Sequence, residues 1–195
     1  MKGWLKPYSS TQSILIVGDG DFSFSWALAV AFCSAGNLVA TSLDSYEALS
    51  GKCGKAESNI LLLKMMGATI LHGIDVKTMK LHTDLKMRRF DRIIFNFPHA
   101  CFKGKEGHVD VTNTHKKLVS DFLHNASHLI RPNGEIHVTH KTGFPYDKLD
   151  MEKMAWNLLL LWLRKLVSEQ RITLDTTKRG ETVADSNSVS GFQRN

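Results

Sequence analysis

The sequence holds three cysteines, Cys33, Cys53 and Cys101, and no C-x-x-C pair. That excludes a disulfide framework and a cysteine-built zinc site, and it points to a reducing compartment. Long apolar runs are missing too. Residues 156–163 (WNLLLLWL) come nearest, contain Asn157, and fall well short of the ~18 apolar residues a membrane helix needs. The opening MKGWLKPYSS has no apolar core of a secretory signal, so none is expected. Internal repeats and low-complexity blocks are absent. The nine histidines do not group with acids or cysteines; His137 and His140 lie an odd number of residues apart on an expected strand, on opposite sides, so no metal site is expected. What is present is ordinary for a folded domain: 195 residues, 43% hydrophobic and 23% charged. The net charge of +6 admits a polyanionic partner.

Strand and helix signals alternate along the chain. Residues 13–17 (SILIV) form a β-branched apolar run that stops at Gly18, as a buried parallel strand does. Residues 23–34 predict a helix, 37–43 (NLVATSL) a strand, and 46–66 a helix interrupted near Gly51 and Gly54. Strands follow at 68–72 and 91–97 (DRIIFNF), the latter stopped by Pro98. A loop containing Gly104 and Gly107 leads to a helix over 113–130, where Leu118, Phe122, Ala126 and Leu129 fall at helical spacing and Pro132-Asn133-Gly134 ends it. A fifth strand is expected at 135–140 (EIHVTH) and an apolar helix at 150–167. This pattern predicts an α/β fold with a mostly parallel, Rossmann-like sheet and helices on both faces. Residues 1–172 read as one domain. Residues 173–195, polar and weakly patterned, read as a C-terminal segment of the same domain with little fixed order.

In such a sheet, ligands sit beyond the carboxyl ends of the strands. The first strand delivers Gly18-Asp19-Gly20-Asp21-Phe22-Ser23 there. Gly18 suits a tight turn and Gly20 a close approach to the main chain. The third glycine of a dinucleotide fingerprint is replaced by Ser23. Asp19 and Asp21 would oppose a pyrophosphate but stabilise a sulfonium and an amino group, which favours S-adenosyl-L-methionine (SAM) over NAD. Either acid can equally cap the following helix. Asp44 closes the second strand, where an acid commonly binds ribose hydroxyls, and Asp75 follows the third, within reach of an adenine amino group. Each of these two can also serve as a helix cap.

Asn96-Phe97-Pro98-His99 leaves the fourth strand, where a methyl donor would meet its acceptor. Asn96 can hydrogen-bond the edge of a planar base, Phe97 can stack on it, Pro98 sets the turn and His99 can relay a proton. A plain strand-ending turn is the alternative.

The motifs KPYSS (6–10), VGDGDFSFS (17–25), NLVATSLDS (37–45), LHGIDV (71–76), FDRIIFNFPHACF (90–102) and NGEIHVTHKT (133–142) occur in this order. As a set the sequence resembles the eukaryotic large-subunit rRNA uridine-N(3)-methyltransferases and their plant relatives, a Rossmann-like SAM-dependent family. The family commonly has Glu where Asp19 stands. The resemblance implies methyl transfer from SAM to N(3) of a uridine in large-subunit rRNA or a pre-ribosome, in the nucleus or nucleolus, with the cytoplasm as the alternative. Gly18–Ser23, Asp44 and Asp75 would then line the cofactor, and Asn96–His99 the base. His99 is the best-placed base for the N(3) proton, ahead of Asp110 and His140. Phe97 and Phe102 would stack, while Lys103, Lys105, His140 and Lys141, with Lys116 and Lys117 beyond them, would track RNA. Two other functions fit the sequence. One is a non-catalytic RNA-binding module that keeps the fold, since the family's closing motif matches only at Lys178-Arg179-Gly180. The other is an NAD-dependent oxidoreductase, although Tyr146 is followed by Asp150 rather than by the Lys of a Tyr-x-x-x-Lys pair.

Overall fold

The computed structural model describes residues 3–52, 54–99, 109–140 and 171–175. A short hairpin comes first, β1 (Trp4–Leu5) and β2 (Tyr8–Ser9). Then follow β3 (Ile14–Val17), α1 (Ser23–Phe32), β4 (Leu38–Thr41), α2 (Tyr46–Lys52), α3 (Gly54–Met65), β5 (Thr69–Leu71), β6 (Phe90–Asn96), α4 (Val109–Ala126), β7 (Ile130–Thr139) and β8 (Arg171–Asp175). Six strands make one sheet in the order β5-β4-β3-β6-β7-β8, every pairing parallel. Counted within the sheet this is the 3-2-1-4-5-6 order of a Rossmann fold, with its reversal between β3 and β6. The expected α/β architecture is the observed one.

Alternation along the strands explains why helices cover both faces. Ile14, Ile16, Leu38, Ala40 and Ile94 pack with Leu28, Ala29 and Phe32 of α1 and Ala56, Ile60 and Leu63 of α3. Leu15, Val17, Ile93, Phe95, Ile136 and Val138 pack on the other face with Val119, Phe122, Leu123 and Ala126 of α4. The second face also receives Ile74, Val76, Met79 and Leu85 from the long β5–β6 connection. Buried Asn125 of α4 pins that connection: its Nδ2 donates to the Lys77 and Asp121 carbonyls at 3.0 Å each, and its Oδ1 accepts from the Lys80 N–H at 3.3 Å.

The interruption expected near Gly51 and Gly54 is present and divides the 46–66 segment into α2 and α3. Elsewhere the structure differs from the sequence pattern. The helix expected over 113–130 begins at Val109 and ends at Ala126. Pro132-Asn133-Gly134 does not end a helix; it lies in a bulge of β7, Asn133 with φ +64°, between the Phe90↔Ile130 and Arg92↔Glu135 pairs. Three strands have no counterpart in the pattern. β1 and β2 are too short to show a period. β8, whose RITLD does alternate, sits in a polar stretch and crosses the 172/173 boundary drawn from composition. The apolar 150–167 helix and residues 176–195 lie outside the described residues.

The hairpin is tied to the sheet by buried polar groups. The Glu135 carboxylate can only accept, so His137 Nε2–H donates to it at 3.1 Å, and Nδ1 accepts from the Tyr8 hydroxyl at 2.9 Å. Arg92 lies 3.4 Å from the same carboxylate. Replacing Asn125 by Ala removes its three bonds and frees the Lys77 carbonyl and the Lys80 N–H from α4. Equilibrium denaturation of Asn125→Ala is expected to show a loss of about 2 kcal/mol, with an unchanged m-value.

Candidate active site

Parallel pairing of β3 with β6 sets Val17 beside Phe95. The two chain exits, Gly18 and Asn96, therefore emerge side by side at the carboxyl edge. Gly18 has φ +65°, and a Cβ there would stand 2.9 Å from the Phe95 ring. Both the backbone angle and the space require glycine. Gly20 is exposed, with nothing within 4 Å of a built Cβ. The turn is anchored on β4, where Thr41 O accepts the Asp19 N–H at 2.9 Å.

The helix-capping reading of the two acids is realised. Asp19 Oδ2 accepts from the Ser25 N–H at 2.8 Å and from its hydroxyl at 2.6 Å. Asp21 Oδ1 accepts from the Ser23 N–H at 3.1 Å. Burial raises the Asp19 carboxyl above the usual carboxylate range, and the bonds from Ser25 act against that rise. Phe22, expected beside the cofactor, is fully buried in the core with φ +61°, its ring edge-on to His72 at 5.6 Å. Its role is packing. Ser23 opens α1 and is exposed.

Asp44 lies past the end of β4, half-buried, its N–H on Ser42 Oγ at 3.2 Å. Exposed Leu43 and Tyr46, which sequence reasoning passed over, flank it with apolar surface. Asp75 Oδ1 accepts the Lys77 N–H at 2.9 Å, so this acid does hold a local turn. Residues 18–22, 42–45 and 72–76 contain four aspartates and neither lysine nor arginine. The carboxyl edge over β3, β4 and β5 is therefore acidic.

On the β6 side, Asn96 is half-buried and pairs with Thr139. Phe97 is 46% exposed yet has φ +48°, a left-handed conformation that disfavours a bulky residue. Its N–H donates to Thr139 O at 2.6 Å, which holds it there. Pro98 is buried and His99 exposed. Among the buried polar residues are His115 of α4 and His140, at the end of β7. Burial, with the nearby His140 and His99, lowers the His115 imidazole below the ordinary histidine range. His115 is thus near both His140 and His99, so three elements bring histidines to this side of the sheet. Sequence reasoning missed His115, although it shares the helical stripe of Leu118 and Phe122. His140, expected on an RNA-facing surface, is buried instead. Lys117 is exposed and pairs with Asp121 at 3.3 Å. Phe102, Lys103, Lys105 and Lys141 lie outside the described residues, as does the side chain of Asp110. Among the described residues no cluster could hold a metal ion, and no helix is long and apolar enough to cross a membrane.

A lowered folded-state value for His115 means that the unfolded chain takes up a proton before the folded chain does. Stability should therefore fall as pH drops from about 6.5, the ordinary histidine value, toward the lowered one; thermal unfolding at pH 7.5 and 5.5 should show this, with a smaller drop in His115→Gln. For Phe97, both Gly and Ala remove the ring, but only Gly relieves the backbone. Phe97→Gly is expected to be about 1 kcal/mol more stable than Phe97→Ala in chemical denaturation.

Solved structures with the same architecture include a putative short-chain alcohol dehydrogenase from Burkholderia multivorans, with TM-score 0.55, 14% identity and coverage of 83% of this chain and 80% of that one. A short-chain dehydrogenase from Oenococcus oeni gives TM-score 0.51 at 14% identity, covering 82% and 78%. At such identity the likeness is one of fold. Among sequences, heavy metal-associated isoprenylated plant protein 41 of Arabidopsis thaliana is 47% identical over 167 residues, 86% of this chain and 32% of the relative. An uncharacterized Arabidopsis thaliana protein is 47% identical over 164 residues, covering 83% of this chain and 78% of the relative. The human ferredoxin-fold anticodon-binding domain-containing protein 1 is 30% identical over 154 residues, 77% of this chain and 24% of that protein. The chain thus spans about a third of the first relative's length. A family model described as rRNA (uridine-N3-)-methyltransferase BMT5-like matches residues 15–176, and the chain belongs to that family.

Proposed function

We propose that this chain transfers a methyl group from S-adenosyl-L-methionine to N3 of a uridine in large-subunit rRNA, on the free RNA or a pre-ribosome, in the nucleolus. The observation that carries the reading is the abutment of an acidic glycine turn and the Asn96–His99 loop, set by the Val17↔Phe95 pairing. A dinucleotide pyrophosphate would bind the free N–H groups of a helix N-terminus. In α1 the Ser23 and Ser25 N–H groups already donate to the protein's own carboxylates. That disfavours an NAD-dependent oxidoreductase and suits a cationic nucleoside that lacks phosphate. Asp44 is suited to the ribose hydroxyls, with Leu43 and Tyr46 offering apolar surface for an adenine. The cofactor, when bound, supplies a methyl carbon made electrophilic by its sulfonium.

The protein's task is then alignment and proton removal. Asn96 holds the edge of the base and Phe97 stacks on its face, its ring projected outward by the strained backbone. The uridine must be unpaired or flipped out to expose N3. His99, exposed at the end of the loop, accepts the N3 proton as the N–C bond forms. Buried His115 lies near it, and near buried His140.

Calorimetry with SAM and with NAD separates the two cofactor readings: binding of SAM is expected, and binding of NAD alone overturns the proposal. Asp44→Ala should weaken SAM binding by about 10- to 100-fold through loss of charge-assisted hydrogen bonds. His99→Ala should lower kcat about 100-fold while leaving SAM affinity unchanged. Mass spectrometry of rRNA nucleosides with and without the gene tests the product. Unchanged N(3)-methyluridine rejects the substrate assignment, and RNA binding without transfer from labelled SAM marks a non-catalytic module.

A further inference from the structure

We infer that the β5–β6 connection is a second RNA-contacting surface, a basic track that grips phosphates away from the reacting base. The inference rests on the proposed rRNA substrate. Between residues 76 and 89 stand five cations, Lys77, Lys80, Lys86, Arg88 and Arg89, against one carboxylate, Asp84. Asp84 pairs with His82 at 3.8 Å. Among the described residues none of the five cations forms a salt bridge. Lys80 Nζ lies 2.9 Å from His124 Nε2; Arg88 reaches the Thr69 hydroxyl and lies over the Phe90 ring at 5.9 Å, and Arg89 reaches main-chain carbonyls.

The segment is a fixed platform. Val76, Met79 and Leu85 are buried beneath it, and Asn125 clasps Lys77 and Lys80 by their main chains. Val76, Met79 and Leu85 turn in, whereas Lys77, Lys86, Arg88 and Arg89 are exposed, with Leu81 and Met87 exposed among them. The chain runs from the carboxyl end of β5 to the amino end of β6, so the track follows the height of the sheet. Seven residues of β6 at about 3.3 Å each make that height roughly 20 Å, the rise of about six nucleotides in one duplex strand.

Charge is also segregated. The four aspartates ring the carboxyl edge and repel phosphate, whereas this flank attracts it. A polyanion engaging the molecule is therefore drawn to the flank and kept off the cofactor edge. Contacts of this kind set register and orientation without reading sequence.

The test is filter binding of large-subunit rRNA to the full chain across a salt series. Lys86→Gln/Arg88→Gln/Arg89→Gln should weaken binding about tenfold or more near 0.15 M salt and reduce the log–log salt slope by about 2. Lys77→Gln/Lys80→Gln, at the other end of the track, should reduce the slope by about 1. SAM affinity and thermal midpoint, measured alongside, should stay unchanged. Methyl transfer to rRNA with unaltered RNA affinity and slope in both folded variants overturns the track and leaves the proposed function standing. A weakened interaction with phosphatidylserine vesicles but not with rRNA also overturns it. RNA binding that falls as expected in a chain unable to transfer methyl supports the track and removes the catalytic reading. Absence of rRNA binding by the unaltered chain overturns both.

Discussion

The parallel pairing of β3 with β6 governs the rest of this molecule. It sets Val17 against Phe95, and one residue further the two chains part. Gly18 turns left-handed on the way to α1, where a side chain would also strike the Phe95 ring. Phe97 is held left-handed on the other side by its hydrogen bond to Thr139. Sheet order reverses between these two strands, so the crevice opens where both exits meet. The acidic turn and the acceptor loop are neighbours for that reason, although almost eighty residues separate them in sequence.

Electrostatics at this crevice follows from who occupies the α1 N-terminus. A helix start attracts anions through its dipole and its free N–H groups. Asp19 and Asp21 answer that demand from within the chain. Capping and ligand choice are therefore one phenomenon here, because the carboxylates that close the helix also make the site hostile to phosphate. Burial of Asp19 opposes its ionisation, and the two bonds from Ser25 partly offset that cost. The cations gather elsewhere, on a connection that buries Ile74, Val76, Met79 and Leu85 on the face α4 covers. One small domain thereby separates a surface suited to a cationic nucleoside from one suited to a polyanion.

Histidines from three elements come near one another on the β6 side. His115 stands on α4, His140 just past β7 and His99 in the loop after β6. Burial, and next the nearby His140 and His99, disfavour protonation of His115. His137, by contrast, has both nitrogens committed to Tyr8 and Glu135 and belongs to the scaffold.

Much of the architecture was legible in the residues. Short apolar runs at 14–17 and 90–96, cut by Gly18 and by Pro98, announced parallel strands, and the spacing of Leu118, Phe122 and Ala126 announced α4. The glycine turn and the loop after β6 were visible for the same reason: short-range chemistry interrupts a period. Elements that owe their form to distant partners were not visible. β8 is a strand because β7 offers an edge, the 132–134 bulge is a shift in the β6–β7 register between the Phe90↔Ile130 and Arg92↔Glu135 pairs, and Phe22 is core rather than ligand surface because the turn points it inward. By itself the sequence determined the fold class, the order of elements and the chemistry available at their ends. Only the tertiary structure decided that His115 joins His99 and His140, that His140 is buried, and that the cations of the β5–β6 connection form one surface. Those facts depend on contacts between residues far apart in the chain, which no local period encodes.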